Sequence, residues 1–157
     1  AGDMDGIKRF YRASVEKMQR DGLDQWDEEY PLRGFLDRDA ARGELYVGLL
    51  DGRPAAAIAV SGECDEEYKN GSWKEPGAGF RVFHRLCVDP ELRGRGIAAR
   101  TMEFAEGLCR SQGVEYVRMD AFSGNAAALA LYDRLGYKRT GDALWRKGKF
   151  YLMEKKL

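Results

Sequence analysis

His84-Arg85-Leu86-Cys87-Val88-Asp89-Pro90-Glu91-Leu92-Arg93-Gly94-Arg95-Gly96-Ile97-Ala98-Ala99-Arg100 reads as the end of a strand, a short turn and the opening of a helix. Residues 80–88 are rich in aromatic and branched side chains with polar positions between them, which suits a largely buried strand. Asp89-Pro90 ends it, because proline lacks a ladder donor and restricts the residue before it. Arg93-Gly94-Arg95-Gly96 then leads into Ile97-Ala98-Ala99, where a helix can start. The two glycines allow a tight turn, and the first helical N–H groups together with the helix dipole make an anion site. Arg93, Arg95 and Arg100 add positive charge there. The physical reading is a seat for phosphate or pyrophosphate, although the loop alone fits a glycine-rich turn with solvated arginines equally well.

The type of phosphate ligand depends on what surrounds the glycines. A Walker loop is excluded, since Ile97 stands where Lys and Ser/Thr are needed. Gly94-Arg95-Gly96-Ile97-Ala98-Ala99 fits the dinucleotide pattern G-x-G-x-x-A, and Asp120 lies about where its ribose acid belongs. Against that reading, residues 89–93 separate the glycines from the strand. A third pattern fits better. Arg93-x-x-Gly96-x-Ala98, following Leu86-Cys87-Val88-Asp89-Pro90, resembles the coenzyme A loop of the GNAT family of N-acetyltransferases.

Composition narrows the classes. At 157 residues the chain is expected to be one domain, 1–157, large enough to bury roughly two-thirds of its unfolded surface. Lys plus Arg and Asp plus Glu are both 26, so nucleic-acid or anionic-membrane binding has no global electrostatic support. No apolar run has the length of a membrane span. The start, Ala-Gly-Asp-Met-Asp-Gly, is acidic and unlike a signal peptide. Cys64, Cys87 and Cys109 lack metal-ligand spacing, and with a single histidine no metal site is expected. They read as reduced thiols in a cytoplasmic protein. Asn70-Gly71-Ser72 matches a glycosylation sequon but reads as unused without a secretory signal.

Outward from the central stretch, periodicity predicts the other elements. Asp3 is a good N-cap, and Ile7, Phe10, Tyr11, Val15 and Met18 give a helix over 4–20 closed by Gly22. A shorter helix is expected from Pro31 to Ala41. Residues 44–50 alternate Leu45, Val47 and Leu49 on one face, Asp51-Gly52 makes a hairpin turn, and 53–61 return. Residues 62–79 are expected to be a surface loop or a lid. After the turn, a helix over 94–112 buries Ile97, Ala98, Met102, Ala105, Leu108 and Cys109, and exposes Arg100, Glu103, Glu106 and Arg110. A strand over 114–121 follows, which makes a parallel crossover. A compact helix over 125–135 closes at Gly136, and 137–140 with 149–155 form an antiparallel pair.

Asn125 and Tyr132 fall two turns apart on that compact helix, along one edge. A helix-start asparagine and a core tyrosine would explain both. Yet Asn125-Ala126-x-Ala-x-x-Leu131-Tyr132-x-x-Leu135-Gly136-Tyr137 resembles the second signature of the same acetyltransferase family. The resemblance covers about residues 80–157 well and the earlier elements more loosely. It implies the GNAT fold: a mixed, mostly antiparallel sheet with a splayed parallel strand pair, flanked by helices. The family's first strand should precede the first helix, and only Ala1 and Gly2 stand before Asp3, so a truncated first strand is expected.

The resemblance also implies acetyl-CoA as cosubstrate and direct transfer to an amine, with no acyl-enzyme. Leu86, Cys87 and Val88 would line the cofactor, with the amides of Leu86 and Val88 pairing with pantetheine. The backbone N–H of Val88, at a bulge, would stabilise charge on the thioester carbonyl. Residues Arg93, Gly94, Arg95, Gly96, Ile97, Ala98 and Ala99 would take the pyrophosphate, Asn125 the coenzyme A arm, and Tyr132 would bind it and protonate the leaving thiolate.

His84 is the only side chain with an unperturbed pKa near neutrality, and its offset of four from Val88 suggests a shared strand face. Arylalkylamine acetyltransferases resemble this strand and carry histidine at the matching offset, which makes His84 a candidate base, with Glu63 and Asp120 as alternatives through water. Cys87, three residues from His84, is expected on the opposite face and reads as a core residue.

The acceptor is expected to be a small amine, cationic or aromatic, because Asp24, Asp27, Glu28, Glu29, Glu63, Asp65, Glu66 and Glu67 are interleaved with Trp26, Tyr30, Tyr68 and Trp73. Monomer and homodimer are both compatible with the sequence. A non-catalytic acyl-CoA sensor of the same fold and a nucleotide-dependent oxidoreductase are the competing readings.

Overall fold

The computed structural model describes residues 4–157; the cap expected at Asp3 lies outside them. Among the described residues, six strands form one mixed sheet flanked by helices. They are β1 (Leu45–Leu50), β2 (Arg53–Ser61), β3 (Phe80–Val88), β4 (Tyr116–Phe122), β5 (Lys138–Trp145) and β6 (Gly148–Lys156), in the order β1-β2-β3-β4-β6-β5. The helices are α1 (Met4–Arg20), α2 (Phe35–Ala41), α3 (Ile97–Ser111) and α4 (Ala126–Arg134). The β3–β4 pair is parallel, with Phe80 against Tyr116 through Phe83 against Met119, as the strand–helix–strand order predicts. All the others are antiparallel. No helix among the described residues is long and apolar enough to cross a membrane.

The chain divides into two compact units, Ala1–Val60 with Arg85–Glu103 and Ser61–His84 with Phe104–Leu157. In the first, the apolar stripe of α1 (Ile7, Phe10, Tyr11, Val15) packs with Trp26, Leu36, Ala57 and Cys87. The helix expected from Pro31 begins only at Phe35, since Pro31 bridges back to Asp27 and Gly34 turns left-handed at φ 75 just before it. The hairpin forms where predicted. A bulge between Gly48 and Leu49, however, breaks the alternation of β1, so Leu45 and Val47 reach the core while Leu49 is left exposed.

In the second unit, Tyr68, Val82, Ala143 and Leu152 form the core with Trp73, Phe80 and Trp145 against them. Residues 62–79 run mostly exposed over the surface and are pinned to the sheet. Glu66–Asn70 is a 3₁₀ turn, Ser72 N–H donates to Thr140 O at 2.8 Å, and Lys74 N–H donates to Glu154 Oε1 at 3.0 Å. A Cβ on Gly141 would stand 2.5 Å from Asn70 O, so only glycine lets the segment lie this close to β5. The exposed face expected for α3 also needs correction. Glu106 is buried, accepts from Tyr137 Oη at 3.0 Å, and pairs with Lys155 at 2.7 Å as well as with Arg110 at 3.3 Å.

Candidate active site

In the first unit the site begins with an irregular strand end. Arg85 sits within β3 at φ 56, a left-handed conformation that costs a non-glycine residue roughly 1–2 kcal/mol. Its carbonyl accepts the Tyr11 hydroxyl. Its guanidinium donates to Asp39 Oδ2 at 2.7 Å and to Tyr30 Oη at 3.2 Å, in an ion pair whose side chains are 8% and 3% exposed. This left-handed residue stands three positions before Val88, where the bulge was expected. Counting faces by twos from His84 to Cys87 or Val88 is therefore invalid, because a left-handed residue interrupts the pleat.

Beyond Arg85, Leu86 and Val88 are half-buried. Cys87 is buried beside Ser14, its Sγ 3.2 Å from Ser14 Oγ. Burial pushes its thiol from 9.0 up to about 12, so it is a packed, protonated group and a poor nucleophile. Ser14 Oγ also donates to Val88 O at 3.5 Å.

Asp89 ends the strand, and its side chain accepts Glu91 N–H at 3.0 Å to start a single 3₁₀ turn on Pro90. Gly94 and Gly96 then adopt φ 79 and 72, values that a Cβ disfavours, and α3 opens at Ile97. Arg93, Arg95 and Arg100 are exposed around the turn, and the first N–H groups of α3 have no intrahelical acceptors. The residues read from the sequence as a phosphate seat are thus together at the start of a 15-residue helix, in a form suited to an anion.

In the second unit, Asn125 caps α4, its Oδ1 accepting Ala128 N–H at 3.1 Å. Tyr132 is buried and packs edge-on against Tyr137 at 6.1 Å. Burial, then the nearby Asp120 carboxylate, raises its phenol above the ordinary value, so it holds its proton at neutral pH. His84 Nε2 lies 3.4 Å from Glu63 O. The Tyr68 hydroxyl donates to Asp120 Oδ2 at 2.8 Å. Val82 pairs in register with Arg118, so His84 and Asp120, each two residues on, belong to the face that carries Val82, Phe80 and Arg118. The Tyr68–Asp120 pair was not readable from the sequence, because its partners are far apart in the chain. The aromatic mouth expected at the acidic loops is not present as such: Trp26 and Tyr68 are 5% and 3% exposed, and both rings belong to cores.

These features define an acetyltransferase fold. The profile of the Acetyltransferase (GNAT) family matches residues 8–137, and the chain belongs to that family. It is similar to the N-acetyltransferase YesJ of Bacillus subtilis, with 23% identity over 99% of this chain and 86% of that protein. The N-alpha-acetyltransferase RimI of Mycobacterium tuberculosis is 30% identical over 73% of this chain and 65% of its own. Among solved structures, a GNAT-family acetyltransferase of Streptococcus agalactiae superimposes with a TM-score of 0.85 at 27% identity, covering 99% of this chain and 90% of that one.

Proposed function

We propose that this protein transfers the acetyl group of acetyl-CoA directly to a primary amine. The observation that carries the reading is the turn at Gly94 and Gly96, which opens α3 with free-facing donors and three arginines immediately after a strand able to present main-chain amides. In this reading residues 93–99 take the pyrophosphate and Leu86 and Val88 pair with the pantetheine arm. The Val88 N–H stabilises the charge that develops on the thioester oxygen as the amine attacks. The C–N bond forms, the C–S bond breaks, and the thiolate takes a proton from Tyr132, whose raised pKa keeps it in the donor state. Asn125 keeps its capping role and supports the coenzyme arm.

The ammonium form of the acceptor must lose a proton before attack. His84 is the candidate for this step, with Asp120 and Glu63 acting through water. Asp120, held by Tyr68, also favours a cationic acceptor over a carboxylate-rich one. The acidic loops support the same preference only in part, because Glu29 and Glu66 are already paired with Arg33 and Lys69.

Calorimetry with acetyl-CoA, CoA and NAD, followed by thiol release over cationic, neutral and anionic amines, tests the reading. Binding of acetyl-CoA and CoA, amine-dependent thiol release, and a lower KM for cationic amines that rises with salt are expected. Binding of NAD alone, or acetyl-CoA binding without release across the panel, overturns it; the latter result is that of a sensor.

A further inference from the structure

We propose that Tyr11, Asp39 and Arg85 are positioning residues that hold the main chain of 85–88 in the orientation from which Val88 meets the thioester. The proposal rests on the acetyl-transfer reading above. It starts from a cost that something must offset: Arg85 is in the left-handed region in the middle of a strand, where its Cβ crowds the following carbonyl. Such conformations persist only when their surroundings over-determine them, and they gather where geometry matters to function.

Here the surroundings act on Arg85 from both ends. Its carbonyl is held by the Tyr11 hydroxyl, from a residue that is fully buried on α1. Its guanidinium is held by Asp39, which is 2% exposed on α2, and by Tyr30 Oη, with the Tyr30 and Phe35 rings each 5.8 Å away. Three residues on, Val88 O accepts from Ser14 Oγ and Asp89 N–H donates to Ala55 O at 2.8 Å. Tyr11 and Ser14 are one turn apart on the same face of α1. One helix therefore fastens the segment at Arg85 and again at Val88, and the amides between those points inherit its rigidity. A buried ion pair adds little net stability over an apolar pair of the same volume. Its fork geometry, in contrast, fixes both a side chain and the backbone that bears it.

Tyr11→Phe removes one hydroxyl and keeps the ring packing, so it is the cleanest probe; Arg85→Lys keeps the charge and loses the fork. Both variants should bind acetyl-CoA by calorimetry within about twofold of wild type, with an unchanged acetyl-CoA KM and a kcat lowered roughly 10- to 100-fold, below the loss for deleting an oxyanion donor outright. The infrared stretch of carbonyl-¹³C acetyl-CoA should shift downward on binding wild type and shift less on binding either variant. Glu106→Gln, a buried change in the other unit, should lower the melting temperature without touching kcat or the stretch. Wild-type kcat and carbonyl shift in Tyr11→Phe, with only a lower melting temperature, overturn the proposal. If wild type binds acetyl-CoA but releases no thiol with any amine, the acetyl-transfer reading fails, while the carbonyl shift still reports on the clamp. Failure of wild type to bind acetyl-CoA overturns both.

Discussion

Replacing Glu154 with alanine should destabilise the protein severely, and the size of the loss can be worked from its surroundings. Glu154 and Arg118 have side chains that are each 5% exposed, with Oε2 and Nε 3.0 Å apart. The guanidinium lies between the rings of Trp73 and Phe80, at 4.6 and 4.1 Å, and donates to Glu75 O at 3.1 Å. The second carboxylate oxygen accepts Lys74 N–H at 3.0 Å. Removing one partner of a buried pair leaves an uncompensated charge and costs about 3–5 kcal/mol. The orphaned amide of Lys74 adds about 1–3 kcal/mol. Because both losses come from one carboxylate they do not simply add, and roughly 3–6 kcal/mol is expected in all. For a chain of this length that lowers the melting temperature by roughly 6–24 °C, at about 2–4 °C per kcal/mol. The double change Arg118→Met with Glu154→Leu removes both charges and should recover the part of the loss that comes from the unpaired charge, while the Lys74 amide stays without its acceptor. Urea denaturation read by circular dichroism and by tryptophan fluorescence measures this, since Trp73 and Trp145 both flank the same core. A loss under about 1 kcal/mol for Glu154→Ala, or a double variant no better than the single one, would refute the reasoning.

Tyr132→Phe should keep acetyl-CoA affinity while turnover falls roughly 10²- to 10⁴-fold; unchanged turnover with an accepted amine returns Tyr132 to a packing role. Gly96→Val places a branched residue at φ 72, which should re-aim the first donors of α3 and weaken acetyl-CoA binding roughly tenfold or more, whereas Arg110→Ala on the same helix should not. Equal affinities by calorimetry would remove the turn from the site. Cys87 is protonated in the folded state up to about pH 12, while an unfolded thiol ionises near its ordinary 9.0. Its contribution is thus fully present below about pH 9 and lost as pH rises toward 12, by up to about 1.4 kcal/mol per pH unit. Alkaline denaturation curves should be shallower for Cys87→Ala; identical slopes would contradict the buried thiol.

The two signatures were legible because they are local. Strand, proline stop, glycine turn and helix start follow one another within residues 84–100, and the Asn125–Tyr132 spacing lies on a single helix. Helix α1 was legible through to its C-terminal end at Arg20, because its apolar stripe has an uninterrupted period. What escaped the sequence depends on distant partners. Glu106 looks like a solvated i,i+4 member of α3 until Lys155 and Tyr137 arrive from the far end of the chain. Trp26 and Tyr68 look like exposed rings among acids until their cores close over them. Arg85 carries no local signal for φ 56; its conformation is set by Tyr11 and Asp39, more than forty residues away in sequence. Period counting failed at Leu49 because a single irregular residue inverts every face that follows it.

The close seat of the 66–72 segment on Gly141 has a consequence for life in a crowded solution. β5 ends the strand order, and a terminal strand offers a row of main-chain groups that can template pairing with another chain. This one also shows Leu144 at 74% exposure, which would reward such a partner. Ser72 already occupies the carbonyl of Thr140, and Asn70 and Gly71 lie against Gly141, so the beginning of this strand is covered. Any side chain at Gly141 would push that cover away. A Gly141→Val variant is therefore expected to uncover the strand and to aggregate at a lower temperature than wild type, which light scattering on warming would detect.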